Sequence, residues 1–279
     1  MHAMSLYELA GFVIAGAIGI AVILYVARGR SIQRETYPWL LDEVSKLHVM
    51  IVGTLAGFAF TGVILVVTFA HDRPGGNGAA LDTVILMFLV SYLYWVGAAF
   101  LISYVPHREA GADLVQRVHF SLATTIEYRT VFLSWFALLP LLQANGLGDL
   151  VHVLDVLLAA SLVIGSALVA VATDGLGVVR VSEVYLSAGI ATLLALGYAL
   201  LVAFGFPAAR TPTSTLLLVV VIFCLNGAGF IGAAATSTAT RYPAVSRFYD
   251  KRGRQIVVCD MQLTMLSLAF LWLAVAGVI

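Results

Sequence analysis

Residues 47–70 read LHVMIVGTLAGFAFTGVILVVTFA, a run of 24 residues that contains no Asp, Glu, Lys or Arg. The hydrocarbon core of a bilayer is about 30 Å thick, and a helix needs roughly 20 apolar residues to cross it. In lipid, only a helix or a closed β-barrel satisfies every backbone polar group. A barrel strand would alternate between apolar and polar residues. This run is continuous, and it therefore predicts a transmembrane α-helix.

The rest of the chain is also mostly apolar. Of its 279 residues, 61% are hydrophobic and only 11% are charged, whereas a soluble domain carries about a quarter charged residues. Eight segments, numbered here in chain order, are long and apolar enough to cross a membrane: Tyr7–Ala27, Leu47–Ala70, Thr83–Val105, Leu122–Leu142, Leu150–Thr173, Val184–Phe206, Thr215–Thr238 and Ile256–Val278. The sequence predicts an all-α, polytopic bundle of about eight helices, with residues 1–279 forming one transmembrane domain and no soluble domain.

The orientation follows from where the basic residues fall. The loops after odd-numbered segments hold twelve Lys and Arg residues, whereas the loops after even-numbered segments hold only Arg73 and Arg210. The positive-inside rule then makes the odd loops cytoplasmic and leaves both termini outside. Residues 1–9 contain no Lys or Arg, which favours a retained first helix over a cleaved signal peptide. Short loops and few lysines fit a prokaryotic inner membrane.

Two cytoplasmic stretches are longer than the others. Residues 28–46 run into YPWLLDEVSKL, which predicts a short amphipathic helix at the membrane interface. Residues 240–255 form a basic loop that could be ordinary positive-inside charge, or a patch for anionic lipid or a protein partner. The candidate residues for such a patch are Arg247, Lys251, Arg252 and Arg254.

Segment 4 is unusual because it carries two charges. Residues 119–140 read HFSLATTIEYRTVFLSWFALLP and include Glu127 and Arg129. Side chains two residues apart on a helix point about 200° away from each other, so each charge needs its own partner. If the helix begins near His119, Arg129 lies about 15 Å along it, near the midplane. Charges at that depth normally face the bundle interior and mark a pathway or relay.

A second interpretation of segment 4 stays open. Residues 131–147 could form the span, while residues 113–129 continue as a helix at the cytoplasmic surface. Arg129 would then extend to the headgroups, and Glu127 would be solvated. Pro140 is expected to kink the helix in either case.

Two further polar residues lie within apolar segments. Asn226, in the middle of segment 7, is expected to face inward at a depth similar to that of Glu127 and Arg129. Together these three predict a polar intramembrane cavity. Asp155, near the outer start of segment 5, is a candidate stop for a proton or cation. The alternative is a favourable interaction of its charge with the helix dipole.

Few residues of the sequence are candidates for binding a cofactor. His48 and His119 fall at cytoplasmic helix ends and His71 and His152 at outer ends, so two b-type haems are conceivable. All four lie at interfaces, however, where histidine is common. A retinal protein needs a lysine inside the bundle, but the only two lysines, Lys46 and Lys251, are in predicted loops. No HExxH motif or metal-binding cysteine spacing is present, so no cofactor or metal is predicted.

These patterns favour transport or conduction of a small solute or ion over an enzyme. The alternatives are a membrane-anchored binding or signalling module that acts through its basic loops, and a haem protein that transfers electrons. Zero net charge and the lack of a basic, aromatic-rich run argue against nucleic acid as a partner. Faces of small residues in segments 2 and 7 make a homo-oligomer plausible, with the lipid bilayer as the other partner.

Overall fold

The computed structural model describes residues 40–71, 78–103, 114–147, 212–238 and 242–275, together with Val178 and eleven positions between 150 and 165. Every regular element in these residues is an α-helix. The helices are α1 Leu40–His71, α2 Gly78–Ser103, α3 Leu114–Phe136, α4 Leu138–Ala144, α5 Pro212–Thr238 and α6 Pro243–Val275. The described positions between 150 and 165 are also helical.

Four of these helices are long and apolar enough to cross a membrane. The candidate spans are Lys46–Thr68, Leu81–Ser103, Thr215–Thr238 and Pro243–Val275. They support the assignment of the chain to the helical membrane class. Segments 1 and 6 of the sequence analysis lie outside the described residues, and segment 5 is described only in part. The count of eight spans and the outside position of both termini therefore stay predictions.

The central element of the described bundle is α3. It packs against α2, α5 and α6, and 17 of its 23 residues are buried. In contrast, α1 packs mainly on α2 and turns large apolar side chains such as Met50 and Phe58 outward. The polar helix thus lies inside, while apolar side chains face the surroundings, as expected for a bundle surrounded by lipid.

Pairs of contacting residues give the relative directions of the helices. The contacts from α3 to α2 run from Leu101 opposite His119 to Ser91 opposite Thr130, so α2 and α3 are antiparallel. The α3 contacts with α6 instead advance together, since Val118 lies beside Gly253 and Arg129 beside Asp260. Helices α3 and α6 are therefore parallel. These directions agree with the alternation expected for segments 3, 4 and 8.

The predicted bounds of segment 4 are wrong. Instead of one helix over residues 122–142, α3 begins at Leu114 and ends at Phe136, and α4 begins at Leu138. Ala137 keeps helical torsions and donates its N–H to the Leu133 carbonyl at 3.2 Å. The break has a simple cause. Pro140 lacks the N–H that would bond to the carbonyl four residues earlier, in Phe136.

Two helices extend further toward the predicted cytoplasmic side than expected. Residues 40–46 are not a separate interfacial helix but the first turns of α1, and residues 243–255 are not a loop but the first turns of α6. Pro243 suits the first turn of α6, where its missing N–H would have no helical partner. Lys46 and Lys251 consequently lie on exposed helical positions, and their prediction as loop residues is wrong.

The approach of α6 to α3 at Gly253 is closer than a side chain allows. A Cβ built on Gly253 would lie 2.7 Å from Cγ2 of Val118. Gly253→Ala should therefore lower the free energy of unfolding by about 1–3 kcal/mol through overpacking. Denaturation by SDS titration of the purified protein measures this change.

Gly57→Ala is the matched control for Gly253→Ala. No atom lies within 4 Å of a Cβ built on Gly57, so this variant should gain up to about 1 kcal/mol from the better helix propensity of alanine. Equal stability of the two variants would contradict the close contact between α3 and α6.

Candidate functional site

Arg129 lies fully buried at the centre of the described bundle. Its exposed fraction is 0%, although it is one of the largest polar side chains in the chain. Its Nε donates to Oδ1 of Asn226 at 2.7 Å, and its Nη1 donates to Oδ1 of Asp260 at 2.7 Å and to Oγ1 of Thr264 at 3.0 Å. One guanidinium thus joins α3, α5 and α6. We call these four residues the Arg129 cluster.

The depth of the cluster follows from Asn226. This residue lies at the middle of the 24-residue candidate span Thr215–Thr238, which is about 18 Å from either end. The cluster therefore lies midway along this candidate span, at a depth where an isolated charge would be costly in a bilayer. The ion pair with Asp260 offsets that cost, because opposite charges at hydrogen-bond distance compensate each other in a medium of low dielectric constant.

The hydrogen bonding of the cluster is incomplete. A guanidinium has five N–H donors, and three of them are used by the bonds from Nε and Nη1. Within the described residues, Nη2 of Arg129 and Oδ2 of Asp260 are buried and have no hydrogen-bond partner. Buried polar atoms are nearly always paired, with protein or with water. One unmatched donor atom and one unmatched acceptor atom therefore belong to the same ion pair.

Glu127 points away from the Arg129 cluster, as its spacing predicts. Its Oε2 lies 2.8 Å from Nδ1 of His48 on α1. Both side chains keep part of their surface exposed, 26% for His48 and 13% for Glu127. The alternative interpretation placed residues 113–129 in a helix at the cytoplasmic surface, with Arg129 extended to the headgroups. It is wrong for Arg129, which is buried. Glu127 lies at the contact between α1 and α3 rather than in open solvent. Glu127 and Arg129 occupy two different polar sites.

His119 forms a third buried polar site, nearer the predicted cytoplasmic side. Its Nε2 lies 2.8 Å from the Leu101 carbonyl oxygen, and its Nδ1 lies 2.8 Å from that of Ala233 and 2.6 Å from Oγ1 of Thr236. Both ring nitrogens are therefore engaged by protein groups. This arrangement leaves no nitrogen free to ligate iron, and it speaks against His119 as a haem ligand.

Asp155 also has a partner. Its Oδ1 accepts a hydrogen bond of 2.7 Å from Nε1 of Trp272, near the end of α6. Trp272 lies twelve residues beyond Asp260 on the same helix, which corresponds to about 18 Å of helical rise. Asp155 is thus well separated from the Arg129 cluster and belongs to the outer part of the bundle in the predicted orientation.

The remaining candidates are distributed as follows. Arg247, Lys251 and Arg252 are exposed, and Arg254 is partly buried, on the first turns of α6. The His71 side chain and the whole of His152 lie outside the described residues. Among the described residues, no group of three or more His, Cys, Asp or Glu could hold a metal ion.

Sequence reasoning missed Asp260 and Thr264. Asp260 falls within predicted segment 8, only four residues from its start at Ile256. An acidic residue inside an apolar segment is itself a signal, because intramembrane charges are rare and normally have a partner. The only arginine predicted to lie within a segment is Arg129, so the pairing of Arg129 with Asp260 could have been a hypothesis from sequence alone.

Comparisons of the chain with protein-family models, with curated proteins and with solved structures give no match. The class of the protein rests on its own fold and chemistry. It is an α-helical membrane protein whose described core is built around a buried ion pair.

Proposed function

We propose that this protein moves a small solute or ion across the membrane and that the Arg129 cluster is its central binding position. The observation that carries the proposal is the unmatched pair of atoms at the midplane, Nη2 of Arg129 and Oδ2 of Asp260. A purely structural clamp would be expected to use both oxygens of the carboxylate in a bidentate contact, which is the strongest geometry for arginine. The observed contact uses one oxygen, so one donor nitrogen with two N–H groups and one acceptor oxygen remain unmatched.

Polar groups outside the cluster support a route through the bundle. The partly exposed pair of His48 and Glu127 lies on the α1 side of α3, about 3 Å along the helix from Arg129 and on a different face. Asp155 and Trp272 lie on the opposite side of the midplane. A solute that crosses a bilayer needs polar contacts before and after the centre, because the apolar interior offers none.

The test is transport by purified protein in liposomes. We expect accelerated movement of at least one of potassium, chloride, protons, urea or glycerol relative to empty liposomes. Asp260→Asn should reduce that rate at least about tenfold, since it removes the charge opposite Arg129, and tenfold corresponds to only about 1.4 kcal/mol. Asp250→Asn, the same change at an exposed position of α6, is the matched control and should transport at the normal rate.

Two results would contradict the proposal. One is movement no faster than in empty liposomes for any of these probes. The other is an equal rate for Asp260→Asn and Asp250→Asn, which would show that the central pair takes no part.

A second candidate function rests on the basic turns of α6. Arg247, Lys251 and Arg252 are exposed on one helical extension rather than dispersed in a loop, as a surface for anionic lipid or an acidic partner would require. If the protein is a signalling module, reversing the charge of Arg247 and Lys251 should abolish binding to vesicles that contain phosphatidylserine. Asp260→Asn should then leave that binding unchanged.

A further inference from the structure

The Arg129 cluster carries no net charge. Arg129 contributes one positive charge and Asp260 one negative charge, joined at 2.7 Å. The other cluster members, Asn226 and Thr264, are neutral. The next carboxylate along α3, that of Glu127, is held by His48 and faces α1. The charges of Arg129 and Asp260 already balance each other. Among the described residues, the cluster therefore has no further charged group that could balance the charge of a bound ion.

The two unmatched atoms belong to the two groups that are in contact. Nη2 is bonded to the same guanidinium carbon as Nη1, and Oδ2 to the same carboxylate carbon as Oδ1. Nη1 and Oδ1 are the two atoms of the 2.7 Å contact. A solute that binds both unmatched atoms therefore has to span only these two groups. Such a molecule must accept a hydrogen bond at one point and donate a hydrogen bond at a neighbouring point.

Nη2 of Arg129 packs directly against α5, at a position where the chain has a glycine. A Cβ built on Gly229 would lie 3.0 Å from Nη2 of Arg129 and 3.2 Å from Cγ1 of Ile126. Any side chain at position 229 would thus press on the unmatched donor. Gly229 therefore lets α5 approach Nη2 closely without displacing it.

We infer that the Arg129 cluster takes a small solute of zero net charge that has a hydrogen-bond acceptor next to a donor, and not an ion. The acceptor would bind Nη2 of Arg129 and the donor would bind Oδ2 of Asp260. Amides and small polyols have this pattern, and so do zwitterions, whose carboxylate and ammonium match the guanidinium and carboxylate. A single ion would leave a net charge in an apolar environment, which is strongly unfavourable. This inference rests on the proposed transport function and narrows its substrate class.

The experiment compares four probes in proteoliposomes of the full chain. Urea, glycerol and glycine are followed by light scattering after osmotic mixing, and potassium chloride is followed as current across a planar bilayer. We expect movement of one or more of the three uncharged or zwitterionic probes, with no current above that of the lipid alone. Current without solute movement would overturn the inference but leave the transport proposal standing. Neither current nor solute movement would overturn the inference, and it would overturn the transport proposal as well if proton movement is also no faster than in empty liposomes.

Two glycine variants test the position of the solute. Gly229→Ala should slow solute movement at least about tenfold, because the added methyl group displaces Nη2, and tenfold corresponds to about 1.4 kcal/mol of binding or barrier. The control, Gly232→Ala, lies one turn further along α5, where a Cβ meets only Cδ1 of Leu122, at 3.3 Å. It should move solute at nearly the normal rate.

Both variants exchange glycine for alanine within the same helix, which favours the helical state. Each is first shown to elute and melt as the native protein does, so that a loss of transport is not a loss of folding. If folding is retained and the two variants move solute equally well, the inference is wrong, because the position of Nη2 would then be irrelevant to solute movement.

Discussion

Arg129→Met should lower the free energy of unfolding by about 3–5 kcal/mol, the range for removing one partner of a buried ion pair. The substitution keeps a long apolar side chain of similar reach but removes every donor of the guanidinium. The Asp260 carboxylate is then left without its counter-charge in an environment where only about a tenth of its side chain is exposed. Unfolding in mixed micelles, followed by circular dichroism as SDS is added, measures the loss.

A double-mutant cycle separates the ion pair from its surroundings. Asp260→Leu alone should destabilise the bundle to a similar degree, because it leaves the Arg129 charge uncompensated. The double variant, Arg129→Met with Asp260→Leu, should lose less than the sum of the two single losses, since neither charge then remains buried. Additive losses would contradict a direct energetic coupling between the two side chains.

His119→Leu is expected to cost about 1–3 kcal/mol, because it leaves one buried oxygen atom without its donor. In the tautomer with the proton on Nε2, that oxygen is the carbonyl of Leu101, which belongs to the last turn of α2. The final four carbonyls of a helix have no partner within the helix. The imidazole therefore completes the end of α2 and ties it to α3 and α5. The same SDS titration measures the effect.

His48→Leu serves as the control for His119→Leu, since it is the same substitution at another histidine. The contact between His48 and Glu127 is partly exposed on both sides. Pairs of that kind contribute about 1 kcal/mol or less. His48→Leu should therefore lower the free energy of unfolding less than His119→Leu does. Equal losses would contradict the expectation that the buried histidine contributes more to stability than the partly exposed one.

The two sites have different consequences for function. His119 binds three protein groups and offers no free atom, so its removal should affect stability alone. The Arg129 cluster combines a structural ion pair with an unmatched donor and acceptor, so its variants should change both stability and transport. Asp260→Asn also leaves the Arg129 charge without its counter-charge, so its transport rate is measured only on protein that is shown to remain folded, whereas Gly229→Ala keeps both charges in place.

The sequence by itself determined the class of the protein, because hydropathy is a local property. A mostly apolar run of 24 residues without charged residues, such as 47–70, is stable in lipid as a helix. The same reasoning predicted the kink near Pro140, since the missing N–H belongs to that residue alone. It also showed that Glu127 and Arg129 need separate partners, because helical geometry sets the angle between them.

Only the tertiary structure decided which partners those are. Asp260 lies 131 residues from Arg129 in the chain, and their contact depends on how α3 and α6 are rotated and aligned. Hydropathy does not encode that alignment. It depends on close packing at small residues such as Gly253, where α6 meets Val118 of α3. The meeting of Arg129, Asn226 and Asp260 at one depth is therefore a property of the packed bundle, and so are the unmatched atoms on which the proposed function rests.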